Sequence, residues 1–418
     1  MPEGHQAGQL LAPYRVLDLT DEKGFLCGKI LSDLGADVIK IEPPRGDRAR
    51  NLGPFYHDVA EPEKSLCWFA YNMGKRGITL NIETDDGREI FSNLVKKSVF
   101  VIESFAPGYL ESLGLGYDDL SRINPRVIMV SITPFGQTGP RRDFKSSDIV
   151  CMALGGPMYV CGDTDRAPVR MSIDQSWLHA SSQAAVGALI AHFSAKVSGR
   201  GQQVDVSIQD SLVWIPLYAQ QAWYTNKFIV GRAGVSRQRH DGMTKRYIWS
   251  CKNGWVCWWL TGGTLGHQTR VLVEWMQEEG MASAFLMEMD WSLFDIDKQE
   301  QATVDRILDE FCLFFMQHTK EELYQEGLRR RALIYPVCST GDLLEDSQLK
   351  ARRSWIQVEH PELGKEITYP GPFLKSSQSQ VGSNRRAPLI GEHNHEVYNG
   401  ELGLSISDIA ALKEAGAI

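Results

Sequence analysis

The first third of the chain alternates short apolar runs with helical segments, and this alternation is the feature that most constrains the fold. The apolar, strand-length runs are residues 15–19, 37–42, 99–102 and 127–132. Between them, residues 28–34 and 84–97 repeat apolar side chains at helical spacing, and a short helix begins at Asp118. Strands that alternate with helices over short connections predict an α/β fold, a Rossmann-like parallel sheet covered by helices on both faces.

The second half of the chain changes character near residue 225. Residues 178–193 are Ala-rich and almost uncharged, which predicts a buried helix, and a turn at Gly199 leads into another strand. Aromatic, strand-like segments then give way to amphipathic helices between residues 268 and 332. We therefore predict a large Rossmann-like domain and a smaller α+β domain. The smaller domain takes residues 225–335.

Composition and local patterns exclude several classes of function. The formal net charge of −8 argues against a nucleic-acid partner. No apolar run approaches the ~18 residues of a membrane span, and the first residues lack the pattern of a signal peptide, so we expect a cytoplasmic protein. The eight cysteines are scattered, which is typical of buried thiols in a reducing compartment. His393 and His395 have no partner ligands in the pattern, so no metal is expected.

A series of ordered blocks extends from residue 15 to residue 393. The blocks are RVLDLT at 15–20, DLGADVIKIE at 33–42, NMGKRGITL at 72–80, ESFAPG at 103–108, FGQTGP at 135–140, GRGQQVDVS at 199–207 and RAPLIGEH at 386–393. In this order they resemble the class III coenzyme A transferases, which include formyl-CoA:oxalate, carnitine and benzylsuccinate CoA-transferases. The α-methylacyl-CoA racemases share the fold. The resemblance implies that the large Rossmann-like domain is built from both ends of the chain, residues 1–220 and 337–418. It also implies a dimer in which two chains interlink like rings.

The resemblance also implies a chemistry in which an aspartate carboxylate attacks the acyl-CoA thioester. A mixed anhydride forms, CoA thiolate returns to the enzyme, and the acceptor acid then takes the CoA. In the family pattern this aspartate lies nine residues after a proline and ten before a glycine. Counting from Pro168 and from Gly187 gives position 177 in both cases, where this chain has Trp177. An indole offers no lone pair to an acyl carbon, so no catalytic residue is expected in this chain.

Asp174 is the alternative nucleophile, because it lies three residues upstream of Trp177. An aspartate directly before an apolar helix is also a common N-cap, and this is the more frequent role of such a residue. Both interpretations remain open from the sequence.

A second group of residues resembles the family at the CoA-binding cleft. These candidate CoA-binding residues are Asn72, Lys75, Arg76 and Phe105. The alternative is that Lys75 and Arg76 are solvated charges on a turn. Ser104 and Ser112 stand where the family often has an asparagine and a basic residue, which predicts a weaker site for an anionic ligand. Gly262 and Gly263 resemble part of the family's mobile glycine loop, although a plain turn fits them equally well.

The first hypothesis is a non-catalytic subunit of a heteromeric class III CoA-transferase. Its partner would be a homologous chain that carries the nucleophile, in an interlinked heterodimer. The substrates would be an acyl-CoA such as succinyl-CoA and a carboxylic acid such as benzylsuccinate. The alternatives are a homodimeric transferase that uses Asp174, an acyl-CoA racemase, and a non-catalytic CoA-binding scaffold.

Overall fold

The computed structural model describes residues 8–238 and 243–418, and the chain divides into two compact units. The first segment of the larger unit ends at Gly155, and Met171–Ile215 and Ser347–Ile418 complete it. The smaller unit consists of Gly156–Arg170 and Pro216–Asp346. The sequence placed the boundaries near residues 220 and 337 and did not assign residues 156–170 to the smaller unit.

The strands are β1 (Arg15–Leu19), β2 (Asp37–Glu42), β3 (Arg76–Thr79), β4 (Phe100–Glu103), β5 (Ile128–Thr133), β6 (Gln203–Ser207), β7 (Ser236–Gln238), β8 (Thr244–Arg246), β9 (Ile248–Cys251), β10 (Gly254–Cys257), β11 (Tyr335–Pro336), β12 (Trp355–His360) and β13 (Lys365–Pro370). The first six form one parallel sheet in the order β3-β2-β1-β4-β5-β6. This is the strand order of the Rossmann folds, so the predicted parallel α/β sheet is confirmed. From β1 the strands are added first on one side, as β2 and β3, and then on the other side, as β4, β5 and β6. The strand order therefore reverses between the neighbouring strands β1 and β4.

The α-helices are α1 (Phe25–Asp33), α2 (Leu66–Asn72), α3 (Asp85–Val95), α4 (Tyr109–Ser112), α5 (Tyr117–Ile123), α6 (Asp148–Leu154), α7 (Ser176–Ser198), α8 (Ile208–Val213), α9 (Leu217–Asn226), α10 (Gly266–Glu278), α11 (Ala284–Glu288), α12 (Gln301–Phe315), α13 (Lys320–Arg330), α14 (Thr340–Glu345), α15 (Ser347–Ala351) and α16 (Ile406–Glu414). A π-helical segment spans Glu396–Glu401. Helix α3 illustrates the local rules: Thr84 accepts a hydrogen bond from the Gly87 N–H at its start, and two aspartates follow in the first turn. Its apolar face packs into the core on one side of the sheet.

Helix α7 lies on the sheet with a face of small side chains. Those buried residues are Ala180, Ala184, Ala188, Ala191 and Ala195. Alanine lets the helix backbone approach β5 and β6 closely. The opposite face carries large apolar side chains that are 57–80% exposed, and they are Val186, Ile190, Phe193 and Val197. The prediction of a buried helix is therefore correct for one face and wrong for the other.

Strand β3 was not predicted, because its sequence was interpreted only as part of a turn or a CoA-binding block. Its residues pair in register with β2, from Ile39 opposite Arg76 to Glu42 opposite Thr79. At Gly77 a Cβ atom would lie 2.8 Å from Pro388, so only glycine fits there. The Gly77 N–H donates to Nδ1 of His393, which gives this histidine a structural hydrogen bond.

The smaller unit contains a three-stranded antiparallel sheet, in the order β11-β10-β9, and helices α10 to α13. Its core is aromatic: Trp258 contacts the rings of Trp249, Phe311 and Phe315. Gly262 and Gly263 lead into α10, and Gly263 has a φ of +61°, which favours glycine.

The eight cysteines are all free thiols, and only Cys338 is fully exposed. Within residues 8–238 and 243–418, none of the helices combines the length and the apolar content that a membrane crossing needs.

Candidate functional site

The crevice at the carboxyl ends of β1 and β4 is where an open parallel sheet of this order binds ligands. Two loops meet there. Ser104, after β4, donates its hydroxyl to Oδ1 of Asp21, after β1, at 2.8 Å. In return the Asp21 N–H donates to the Ser104 Oγ at 2.9 Å. This reciprocal pair fixes the two loops against each other across the crevice.

Asp21 carries a negative charge in this crevice. Burial raises the pKa of its carboxyl, but the Lys23 ammonium and the hydrogen bonds from Lys23 and Ser104 outweigh burial and hold the pKa below its usual range. The Arg48 guanidinium also contacts the Asp21 carboxylate, at 2.9 Å. The charge of Asp21 is therefore compensated by neighbouring cations.

The start of α7 is fixed to the same region. Asp148 accepts hydrogen bonds from the N–H and the hydroxyl of Ser176, at 2.9 and 2.7 Å. One turn into the helix, the Ser181 hydroxyl donates to the Lys23 carbonyl at 2.9 Å. Trp177 is four residues before Ser181, so the two side chains lie on one face of α7, which approaches the loop after β1. Trp177 is only 8% exposed.

Asp174 lies outside α7 and is exposed. The N-cap position belongs to Gln175, whose side chain makes no capping hydrogen bond, so the N-cap interpretation of Asp174 is wrong. Asp148 satisfies the first helical N–H in its place. Burial is the main cause that raises the pKa of Cys67 and of Tyr71 in α2, and the charge of Asp174 makes a smaller contribution in the same direction.

Cys67 is a potential nucleophile near this carboxylate, and the sequence did not single it out. Burial, followed by the charges of Glu22 and Asp174, raises the pKa of its thiol to about 11. The thiolate is the reactive form of cysteine, so Cys67 is protonated and unreactive at neutral pH.

Lys75, a candidate CoA-binding residue, is fully buried. Its ammonium group donates to Oδ2 of Asp18 at 2.8 Å, to the Phe25 carbonyl at 2.9 Å and to Oδ1 of Asn72 at 2.8 Å. An ammonium has three donors, so its hydrogen-bonding capacity is used inside the protein. Gly28 lies against this ion pair, because a Cβ there would be 2.3 Å from the Asp18 carboxylate.

Arg76 is similarly engaged. It donates two hydrogen bonds to Asp37, at 2.9 and 2.7 Å, and others to Glu396 and Glu401 at 2.7 and 2.6 Å. These contacts connect β3 to the C-terminal segment, and they rule out the solvated turn that was the alternative for the charged pair. CoA binding by Asn72, Lys75 and Arg76 stays a prediction. The amide nitrogen of Asn72 is buried and has no hydrogen-bond partner among the described residues.

Phe105, the fourth candidate CoA-binding residue, is half-buried and packs against Tyr109, with ring centroids 4.8 Å apart. Its N–H donates to Oε2 of Glu103, the last residue of β4, at 2.7 Å. Burial raises the pKa of Glu103 to about 7, against smaller opposing effects of hydrogen bonds from Ser131 and Phe105. The sequence signal for Glu103 is an acidic residue at the end of an otherwise apolar strand.

The described residues around the crevice bring together compensated charges, two loops joined by hydrogen bonds and, near the start of α7, the buried indole of Trp177. Within residues 8–238 and 243–418 no group of three or more His, Cys, Asp or Glu side chains is placed to hold a metal ion.

Residues 11–394 of the chain match the family model described as CoA-transferase family III. The succinyl-CoA:(R)-benzylsuccinate CoA-transferase subunit BbsE of Thauera aromatica is 36% identical over 418 residues, which cover 98% of each sequence. The beta subunit of the succinyl-CoA–L-malate CoA-transferase of Chloroflexus aurantiacus is 28% identical, again with 98% of each sequence covered.

A crystal structure of a CAIB/BAIF family protein from Brucella suis has the same fold. It superimposes with a TM-score of 0.80 at 25% identity, over 94% of this chain and all of the other.

Proposed function

The chain belongs to CoA-transferase family III, and from this premise we propose that it is the non-catalytic subunit of a heteromeric CoA-transferase. A homologous partner chain supplies the aspartate that attacks the thioester. The complex moves CoA between succinyl-CoA and a carboxylic acid, with benzylsuccinate as the first acid to test.

The observation that carries the proposal is the position of Trp177. It begins α7 beside the crevice, buried and one turn before the helix contacts the loop after β1. A carboxylate attacks an acyl carbon through an oxygen lone pair, and an indole has no equivalent. The two nearby groups with nucleophilic potential do not replace it: Cys67 is a protonated thiol, and Asp174 lies before the helix, close to α2.

The exposed face of α7 supports a partner chain. Its four large apolar side chains recur at helical spacing on one side of a 23-residue helix. A contiguous apolar surface of this kind on a folded unit marks an interface. The partner that we propose for it is the homologous catalytic chain, in line with the two relatives that are named as subunits.

The proposed acyl donor and acceptor come from the relatives. The names of the Thauera and Chloroflexus proteins both specify succinyl-CoA as the donor, and they differ in the acid.

The test is to express this chain alone, a homologous catalytic chain alone, and both together. CoA transfer from succinyl-CoA is then measured with benzylsuccinate, malate and citramalate as acceptors. We expect the two chains to co-purify, and we expect turnover only when both are present. The partner's attacking aspartate should be detected as a mass adduct after incubation with succinyl-CoA, and this chain should carry none.

Turnover by this chain alone, with an adduct on Asp174, would contradict the proposal and support the homodimeric alternative. Exchange of the α-hydrogen of an acyl-CoA by deuterium, without CoA transfer, would support the racemase alternative. CoA binding by the chain with no transfer in any combination would support the scaffold.

A further inference from the structure

A cavity of about 360 Å³ lies at the opposite edge of the parallel sheet, where the strands begin. It is formed by the segments that precede β1, β4 and β5, together with one side of α7. The lining includes four cationic residues and two aromatic ones, which are Lys96, Lys97, Arg126, Lys196, Tyr14 and His192. The strands have four to six residues, so this cavity is on the order of 15 Å from the crevice at their carboxyl ends.

The cavity gathers four cationic side chains and no carboxylate. Lys96 donates to the side-chain carbonyl of Asn93 at 2.8 Å, and Lys97 donates to the Glu401 backbone carbonyl at 3.0 Å, so both meet neutral acceptors. Lys196 lies over the ring of Tyr14, 4.8 Å from its centroid. Among the residues that the structure describes, none of the four cations, Arg126 included, forms a salt bridge. The chain has a net charge of −8, so four cations without a salt-bridge partner around one cavity make this part of the protein locally positive.

The walls of the cavity are rigid. The Asn124 amide donates to the carbonyls of Val95 and Ser98, at 3.1 and 2.8 Å, and so joins the loop before β5 to the loop before β4. Asn124 also accepts the Arg126 N–H at 3.0 Å, which fixes the backbone that carries this arginine. On the other wall His192 packs between Tyr14 and Phe100, with ring centroids at 4.5 and 5.4 Å. The cations are therefore attached to a fixed frame.

We propose that this cavity is a binding site for a compact polyanion with two or more negative charges, such as an oligophosphate or a small di- or tricarboxylate. Lys and Arg side chains that converge on one space repel one another, and an anion placed between them relieves that repulsion and gains charge-assisted hydrogen bonds. Its volume lies within the range of small-molecule sites in proteins. The site is separate from the transferase crevice and does not depend on the proposed function.

The test is isothermal titration calorimetry on the full chain, with sodium tripolyphosphate, citrate and succinate as three separate probes. We expect saturable binding of about one anion per chain, weakened by added salt because the attraction is electrostatic. The tightest of the three probes identifies whether the natural ligand is a phosphate compound or a carboxylate. Replacing two cations together, Arg126→Gln with Lys196→Gln, should weaken binding of that probe at least about tenfold.

Arg122→Gln is the matched control, because Arg122 is an exposed arginine of the neighbouring α5 that is already paired with Asp119 at 2.6 Å. It should leave the affinity unchanged. The proposal is overturned if none of the three probes binds saturably, if the double variant binds as tightly as the wild type, or if Arg122→Gln weakens binding as much as the double variant.

Discussion

Three acceptors surround the buried ammonium group of Lys75 inside the larger unit. Burial lowers the pKa of this group, and the contact with Asp18 opposes that effect. Asp18, the Phe25 carbonyl and Asn72 take its three donors, and Asp18 is itself fully buried. The net worth of such a pair is small when both partners are present, but removing one partner leaves a buried charge with no compensation. In the folded chain Lys75 thus connects β1, α1 and α2 through buried hydrogen bonds.

Lys75→Met should therefore lower the free energy of unfolding by about 3–5 kcal/mol, because it leaves the Asp18 carboxylate buried and unpaired. Urea denaturation measures this change. Lys413→Met, at an exposed position of α16, is the control and should change the free energy by less than about 0.5 kcal/mol. If Lys75→Met has no more effect than the control, the buried pair does not have the structural role inferred for it.

The proposed function gives neither Trp177 nor Asp174 a role in the attack on the thioester. In the reconstituted complex, Asp174→Asn and Trp177→Phe should each change kcat by less than about twofold, since neither residue attacks the thioester. Steady-state kinetics with succinyl-CoA measure this. Loss of an attacking residue costs several orders of magnitude, so a collapse of kcat in Asp174→Asn would identify it as the nucleophile.

At the scale of elements, α7 has two apolar faces with different roles. The alanine face is buried by the chain itself, because it packs on β5 and β6. The face of Val186, Ile190, Phe193 and Val197 is exposed and stays unsatisfied until another surface covers it. Helix α7 also positions Trp177, so the same element connects the proposed interface to the crevice.

Ile190→Glu should weaken association with the catalytic chain by at least about 2 kcal/mol, roughly 30-fold in Kd, because it places a charge in an apolar interface. Analytical ultracentrifugation of the mixed chains measures the Kd. Ile406→Glu is a matched control, since Ile406 is an isoleucine of α16 that is exposed to a similar extent, 73% against 65%. Equal effects of the two changes would argue against an interface on α7.

Glu103, at the end of β4, is expected to make the stability of the folded chain depend on pH. In the folded chain its carboxyl keeps its proton up to a pKa of about 7, compared with an ordinary value of 4.5 in the unfolded chain. Between these two values the folded state binds more protons, so raising the pH through this window favours unfolding.

Glu103→Gln removes this dependence. The free energy of unfolding of the wild type, relative to that of the variant, should fall by up to about 3 kcal/mol between pH 4.5 and pH 7 and then level off. Urea denaturation of both proteins across this range measures the difference. A constant difference would show that Glu103 titrates normally.

At the scale of the whole molecule, the larger unit leaves an apolar helix face exposed, and this predicts that the chain is stabilised by its partner. The melting temperature of the mixed chains should rise with total protein concentration, because dissociation is coupled to unfolding. Differential scanning calorimetry over a hundredfold range of concentration measures this. A melting temperature that is independent of concentration and equal to that of the chain alone would contradict the heteromeric proposal.

Much of the fold was determined by local sequence patterns. The apolar runs of β1, β2, β4 and β5, and the helical spacing of α3, are properties of adjacent residues, and the structure places them within one or two residues of the prediction. The replacement of the family's attacking aspartate by Trp177 stays a prediction from the sequence, because it rests on the spacing from Pro168 and Gly187.

Only the tertiary structure decided what surrounds these elements. Strand β3 forms because β2 offers it a parallel partner, and its four residues contain no pattern that requires a strand. Lys75 and Arg76 are adjacent charges in the sequence, and their acceptors lie 57 residues away at Asp18 and 320 residues away at Glu396. The cationic cavity at the edge where the strands begin likewise gathers residues that are distant in the chain, from Tyr14 to Lys196. Both faces of α7 are apolar in sequence, and only the structure decides that the alanine face is buried, because burial depends on which surfaces meet in space.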